Sequence, residues 1–276
     1  MNPHISLPRH GEPSNFGGAP PSNQSEGFRM PRFFKRLFKF PQMDFEMAIW
    51  EMTSLIIAPK KVFRSIYYHK QTKNTWHRPD PSFTYLLSFF LLLTSFAWGL
   101  AYARGITNIV AITIIFIAIH FLLVSVLVAA ALYVLVGKFL GPGVPGLPGK
   151  RRQGLFMRPG EGEQLEYGYC WDVSIRAFVP VWVFLYVVQF VLMPVIAKEF
   201  WLSKLVGNSL YLIAFAYYFV ILFLGFNALP FLHHTELLLG PVPVIATIWL
   251  ISLFTTNLPK HFAPVLWAGA GLRKDV

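Results

Sequence analysis

Four polar side chains stand inside long apolar runs of this chain: His120 in the stretch IAIHFLL, then Gln189, Asn208 and Asn227. A histidine in hydrocarbon can carry a proton or ligate a metal, and amides can line an ion path or bond one helix to another. The first set of roles needs carboxylates close by. The chain has 13, namely Glu12, Glu26, Asp44, Glu46, Glu51, Asp80, Glu161, Glu163, Glu166, Asp172, Glu199, Glu236 and Asp275. None falls in an apolar run as the sequence delimits it, so no acid pair is expected there for proton relay, aspartyl catalysis or cation coordination. His120, Gln189, Asn208 and Asn227 are therefore expected to join helices by hydrogen bonds. His233 and His234 with Glu236 raise the idea of zinc, but adjacent histidines diverge by about 100° on a helix and cannot chelate from one face. A short turn fits them better. Cys170, beside Trp171 and Asp172, has no base with a clear role next to it. With no phosphate-cradling glycine motif and no serine elbow, neither an enzyme, a cofactor nor a metal is expected.

The elements that position these residues are membrane helices. The chain has 276 residues, 55% hydrophobic and 13% charged, with a mean hydropathy of +0.50. Soluble domains carry about 25% charged residues. About 20 apolar residues cross a bilayer as a helix, and five runs qualify: 83–103, 109–136, 177–197, 205–232 and 241–258. The first two are so close that they must form a tight hairpin. Of the 24 lysines and arginines, 18 lie before the first run or between the second and third, and six lie on the other side. That bias places the N-terminus in the cytosol and, with five spans, the C-terminus in the lumen. The sequon at Asn23 then faces the cytosol and stays unglycosylated. Residues 1–28, rich in Pro, Gly and Ser, read as a disordered tail. The Gly/Pro-rich stretch 141–162 reads as a flexible cytosolic loop within 137–176, and 259–276 as a short lumenal tail.

The net charge of +11 calls for an anionic partner. Much of it sits in 29–82. On a helical wheel Phe33, Phe34, Leu37, Phe38 and Phe40 share one side, while Arg32, Lys35, Arg36 and Lys39 share the other. Such a foot suits an anionic cytosolic leaflet. Beyond Pro41, Phe45, Ile49, Met52 and Ile56 form a stripe over a predicted helix at 43–58 that is too short and too acidic to span. It reads as an in-plane helix packed on the spans or a docking helix. Pro59 opens a third piece that mixes Lys60, Lys61 and Arg64 with tyrosines and Trp76. Lipid contact is the main reading of this piece, and stacking on RNA bases is a rival. Lys60, Lys61 and Arg64 join the stripe of Phe45, Ile49, Met52 and Ile56 as candidate residues for docking a partner.

Four blocks of residues carry a resemblance: KRLFKFPQMDFEMAIWEM (35–52), SIYYHKQTKNTWHRPDPSF (65–83), EYGYCWDVSIRAFVP (166–180) and LVGNSLYLIAFAYYFVILFLGFNALPFL (205–232). Together they resemble the uncoordinated-fifty family of Golgi multi-pass membrane proteins. The resemblance implies a five-span protein of the early secretory pathway, without catalytic residues, that supports trafficking of cell-surface receptors. It also implies association with Arf guanine-nucleotide exchange factors, and RNA binding is ascribed to some members. The loop 141–162 departs from the family pattern as an insertion, as does the N-terminal tail. The expected architecture is all-α: a polytopic membrane protein of five transmembrane helices preceded by amphipathic interfacial helices. The rival is a small transporter or lipid-handling protein with a polar cavity near His120, Gln189 and Asn208.

Overall fold

A computed structural model describes residues 44–73, 76, 80–103, 105–140, 165–196, 198 and 200–266. The cationic foot Arg32–Lys39, the tail and the loop 141–162 lie outside the described residues. Among the described residues the chain is helical throughout, without a sheet. Two short helices, α1 (Phe45–Ile57) and α2 (Pro59–Lys73), precede five long apolar ones. These are α3 (Ser82–Tyr102), α4 (Ile106–Leu140), α5 (Tyr167–Ile196), α6 (Trp201–Asn227) and a fifth unit, Thr235–Thr255. The fifth consists of a tight turn at Thr235–Leu239 and α7 (Pro241–Thr255). A last short helix, α8 (Leu258–Leu266), follows.

Each of the five is long enough to cross a bilayer. Their outward faces agree, since Leu93, Phe96, Leu100, Val126, Leu127, Val191 and Phe254 are all exposed large hydrophobics, which only hydrocarbon solvates well. α5 is the central helix and packs most extensively on α6 and α4. α7 is peripheral, with Ser252 as its one buried residue. The α3–α4 hairpin is as tight as the sequence predicts. Gly105 turns it with φ +84°, and at Gly99 a Cβ would stand 2.9 Å from the Ile109 side chain.

One boundary differs in a way that matters. The sequence starts the third span at Ala177, whereas α5 begins at Tyr167. Its first three turns carry Asp172 and Arg176, so the expectation that no carboxylate lies in a spanning helix is corrected. Both charges are buried, and a partner on α1 makes that tolerable.

Local chemistry sets the course of α1 and α2. Asp44 caps α1, its side chain accepting from the Met47 amide at 3.0 Å. Asp80 bonds the Asp44 amide at 3.3 Å and the Ser82 amide at 3.1 Å, tying the start of α1 to the start of α3. α1 stops because Pro59 has no N–H to continue its ladder. The carbonyls of Leu55 and Ile56, left without helical donors, accept from the Tyr217 hydroxyl at 3.0 and 2.9 Å. Tyr217 lies about 15 Å of helix inside the Asn227 end of α6. The α1–α2 hairpin is thus wedged among the ends of α3, α5 and α6. α8 packs at the other end of the bundle, where Asn257 donates to the Ile196 carbonyl at 3.0 Å.

Candidate functional site

The hairpin is held by a buried ionic cluster. Arg176 donates through Nη2 (2.9 Å) and Nε (3.2 Å) to Oε2 of Glu51, 125 residues away in sequence. Its Nη1 donates to the Asp172 carbonyl at 3.0 Å and lies 3.9 Å from the Asp172 carboxylate, one turn earlier on α5. The guanidinium carbon stands 5.2 Å from the Phe83 ring centroid, so α3 supplies a cation–π face. The Arg176 and Glu51 side chains are 4% and 2% exposed. Arginine stays charged at any accessible pH. Three elements therefore converge on one guanidinium, and the cluster can fix their geometry.

Above it, α2 is locked to α6. A Cβ on Gly225 would come within 2.6 Å of Val173 and 3.2 Å of Phe63, so only glycine lets α2, α5 and α6 approach this closely. The Tyr169 hydroxyl uses that approach to donate to the Gly225 carbonyl. Trp76 packs edge-on against both Tyr169 and Phe231, closing the hairpin over the end of α6.

Two grooves flank the hairpin. The first, about 320 Å³, is apolar and lies between α1 (Ile49, Met52, Thr53, Ile56, Ile57) and the aromatic rings of Phe90 and Trp182. The second, about 460 Å³, has Lys60, Arg64 and Tyr67 on one wall, Leu224, Asn227 and Ala228 on the other, and Phe63 between them.

The intramembrane polar residues go to separate partners. His120 Nδ1 meets the Tyr186 hydroxyl at 2.8 Å. Both lie in widened π turns, Ile115–Leu123 and Trp182–Val188, with Phe116 edge-on against Tyr186. Gln189 Nε2 donates to the Tyr211 hydroxyl at 3.4 Å. Asn208 is fully engaged: Nδ2 donates to Ser252 Oγ (2.9 Å) and the Thr256 carbonyl (3.0 Å), while Oδ1 accepts from the Leu258 amide (2.9 Å). Asn227 Oδ1 accepts from Thr235 Oγ1 at 3.1 Å.

A model of the UNC-50 family matches residues 33–267. Protein GMH1 homolog of Schizosaccharomyces pombe is 36% identical, the match covering 86% of this chain and 97% of that protein. The chain belongs to the UNC-50 family. Protein GMH1 of Saccharomyces cerevisiae is likewise 36% identical, over 85% of each chain, and the human protein unc-50 homolog is 33% identical, over 84% of each. No solved structure matches. The uncoordinated-fifty resemblance thus stands for nearly the whole chain. The chain is a multi-pass membrane protein with five apolar helices.

For this UNC-50 family protein, the residues singled out by sequence are distributed as follows. Of the α1 stripe, Met52 is buried, Ile56 is half-buried, and Phe45 and Ile49 are exposed. Ile49, Met52 and Ile56 come together in the apolar groove; Lys60 and Arg64 come together with Asn227 in the basic one, and Lys61 is exposed beside it. His233 and His234 are exposed in the turn before α7, His234 with φ 56°. Cys170 is buried. Among the described residues no group of three His, Cys, Asp or Glu side chains is placed to hold a metal.

The sequence reading missed the cluster of Glu51, Asp172 and Arg176. A signal was there: Asp172 and Arg176 are one turn apart, at the spacing of a helix that runs on through Pro180 into the apolar run. Glu51 similarly interrupts a largely apolar helix.

Proposed function

We propose that this UNC-50 family protein is a non-enzymatic membrane factor of the Golgi and early secretory pathway. In this reading it supports vesicle-mediated transport and the delivery of membrane receptors to the cell surface. The α1–α2 hairpin faces the cytosol and docks an Arf guanine-nucleotide exchange factor, and the Arg32–Lys39 foot holds the anionic leaflet. The observation that carries the reading is the hairpin itself. It does not span, yet it is clamped into the spans by a buried ion pair, and it leaves Lys61 and Tyr68 exposed. A rigid non-spanning element of this kind suits a docking platform. The separate pairings of His120, Gln189 and Asn208 favour helix-to-helix bonding over a shared transport cavity. The excess of basic residues before the first span supports a cytosolic N-terminus, and the positions of α1 and α8 at opposite ends support an odd number of crossings.

Proximity labelling from each terminus in intact cells tests the proposal. An N-terminal fusion should label Arf exchange factors, and a C-terminal fusion should label lumenal proteins alone. Cytosolic labelling from the C-terminus would overturn the topology. Absence of exchange factors among the N-terminal targets would overturn the docking role.

A further inference from the structure

The groove between α2 and the end of α6 has a chemistry that the docking role does not use. Lys60, Arg64 and Tyr67 recur at i, i+4 and i+7, so one stripe of α2 faces it. No carboxylate lines it. Among the described residues neither Lys60 nor Arg64 has an ion-pair partner. The first turn of α2 holds no acid but does hold Lys60 and Lys61, so positive side chains sit at the positive end of a helix dipole. An anion in the groove would relieve both the cation pair and the dipole. Across the groove, the Asn227 carbonyl oxygen is taken by Thr235, which leaves the amide NH2 as a donor. Phe63 and Leu224 are the apolar part of the lining.

The occupant follows from this combination and from position. The groove opens at the end of α6, a helix long enough to cross the bilayer, which is where lipid phosphates lie. Two cations and an amide suit one phosphate, and the apolar floor suits the glycerol and first acyl carbons beneath it. A nucleic acid would want a longer basic track. We propose that this groove binds a single anionic phospholipid, its phosphate held between Lys60 and Arg64 with Asn227 and Tyr67 donating to it. The assignment stands apart from the trafficking reading, because it is read on isolated protein and either can fail alone.

The test uses the full-length chain in phosphatidylcholine nanodiscs, with or without phosphatidylserine. Native mass spectrometry of the released protein should show one phosphatidylserine retained per chain in preference to phosphatidylcholine. At about 1 kcal/mol per basic residue near anionic lipid, K60Q/R64Q should weaken that retention roughly thirtyfold. Both side chains are exposed, so the variant should elute as the parent does in gel filtration. A readout without substitution is amine labelling: phosphatidylserine should protect Lys60, which lines the groove, and leave its neighbour Lys61 reactive. Retention that ignores headgroup charge, or survives K60Q/R64Q, would overturn the proposal. So would equal labelling of the two lysines. Capture of a short RNA that depends on Lys60 and Arg64, without lipid retention, would overturn it in favour of a nucleic-acid face.

Discussion

α1 and α8 pack against opposite ends of the same five spans, but the groups that hold them differ in kind. α1 is pinned by full charges: Glu51 and Asp172 converge on Arg176, with the Phe83 ring beside it. At α8 the fastenings that involve Asn208, Asn257 and Pro259 are neutral. Asn208 bonds the Leu258 amide, Asn257 reaches back to Ile196, and Pro259 packs on Gly207, where a Cβ would meet its ring at 2.7 Å. A buried ion pair repays its desolvation only while every member is present, whereas an amide network loses one modest bond at a time. The α1 end is therefore all-or-none. The α8 end is graded.

The sharpest way to break that contrast is Arg176→Met, which leaves two buried carboxylates without their cation. Removing one partner of a buried pair costs about 3–5 kcal/mol. The full-length protein in detergent should show a large fall in apparent melting temperature. Hydrogen exchange over Phe45–Ile57 should rise while Leu258–Leu266 stays protected. Glu51→Leu/Asp172→Leu/Arg176→Met should regain most of the loss, because well-packed apolar groups replace the whole charge set. If Arg176→Met left α1 protected, the cluster would not be the clamp.

How far the sequence reveals this arrangement depends on where each partner lies. The apolar runs are local, so α3, α4 and α6 start within a few residues of their predicted places. α7 starts at Pro241, the predicted first residue of the fifth span. The start of α5 was not legible for a physical reason. A hydropathy window counts Asp172 and Arg176 as costs, and the group that offsets them, Glu51, sits 125 residues from Arg176 on another helix. The α1 stripe was visible as a period, but its phase was not, since only tertiary packing decides that Met52 turns inward and Ile49 outward. The bonding role expected of Asn208 was legible because a spanning helix offers an amide few alternatives, although its partners Ser252, Thr256 and Leu258 were not. Lys60 and Arg64 stand out in the sequence as basic residues among aromatics. That Asn227 would face them needed the fold.

A middle-sized effect is expected at the hairpin tip. Tyr217→Phe keeps the ring and removes the hydroxyl that serves the Leu55 and Ile56 carbonyls. A fully buried acceptor left unsatisfied costs about 1–3 kcal/mol, and these two carbonyls are part-buried, so the cost falls toward the lower end. Melting should fall by less than for Arg176→Met, and exchange should rise at the C-terminal turn of α1 before it rises at Asp44. Uniform opening of α1 would mean that the ion cluster and the tip act as one unit.

The smallest effect belongs to the neutral end. Asn208→Leu removes three hydrogen bonds, yet hydrogen bonds between membrane helices average only about 0.6 kcal/mol and reach about 1.7. The Thr256 carbonyl and Leu258 amide stand where α7 gives way to α8, and Ser252 Oγ keeps its own bond to the Trp249 carbonyl at 2.7 Å. Exchange should therefore rise over Leu258–Leu266 with α1 untouched and the melting temperature only slightly lower. The pair Asn208→Leu and Arg176→Met should add in their effects, since the two sites lie at opposite ends and share no partner. Strong non-additivity would show that the ends communicate through α5 and α6, and the contrast between a charged and a neutral end would then describe one coupled structure instead of two independent fastenings.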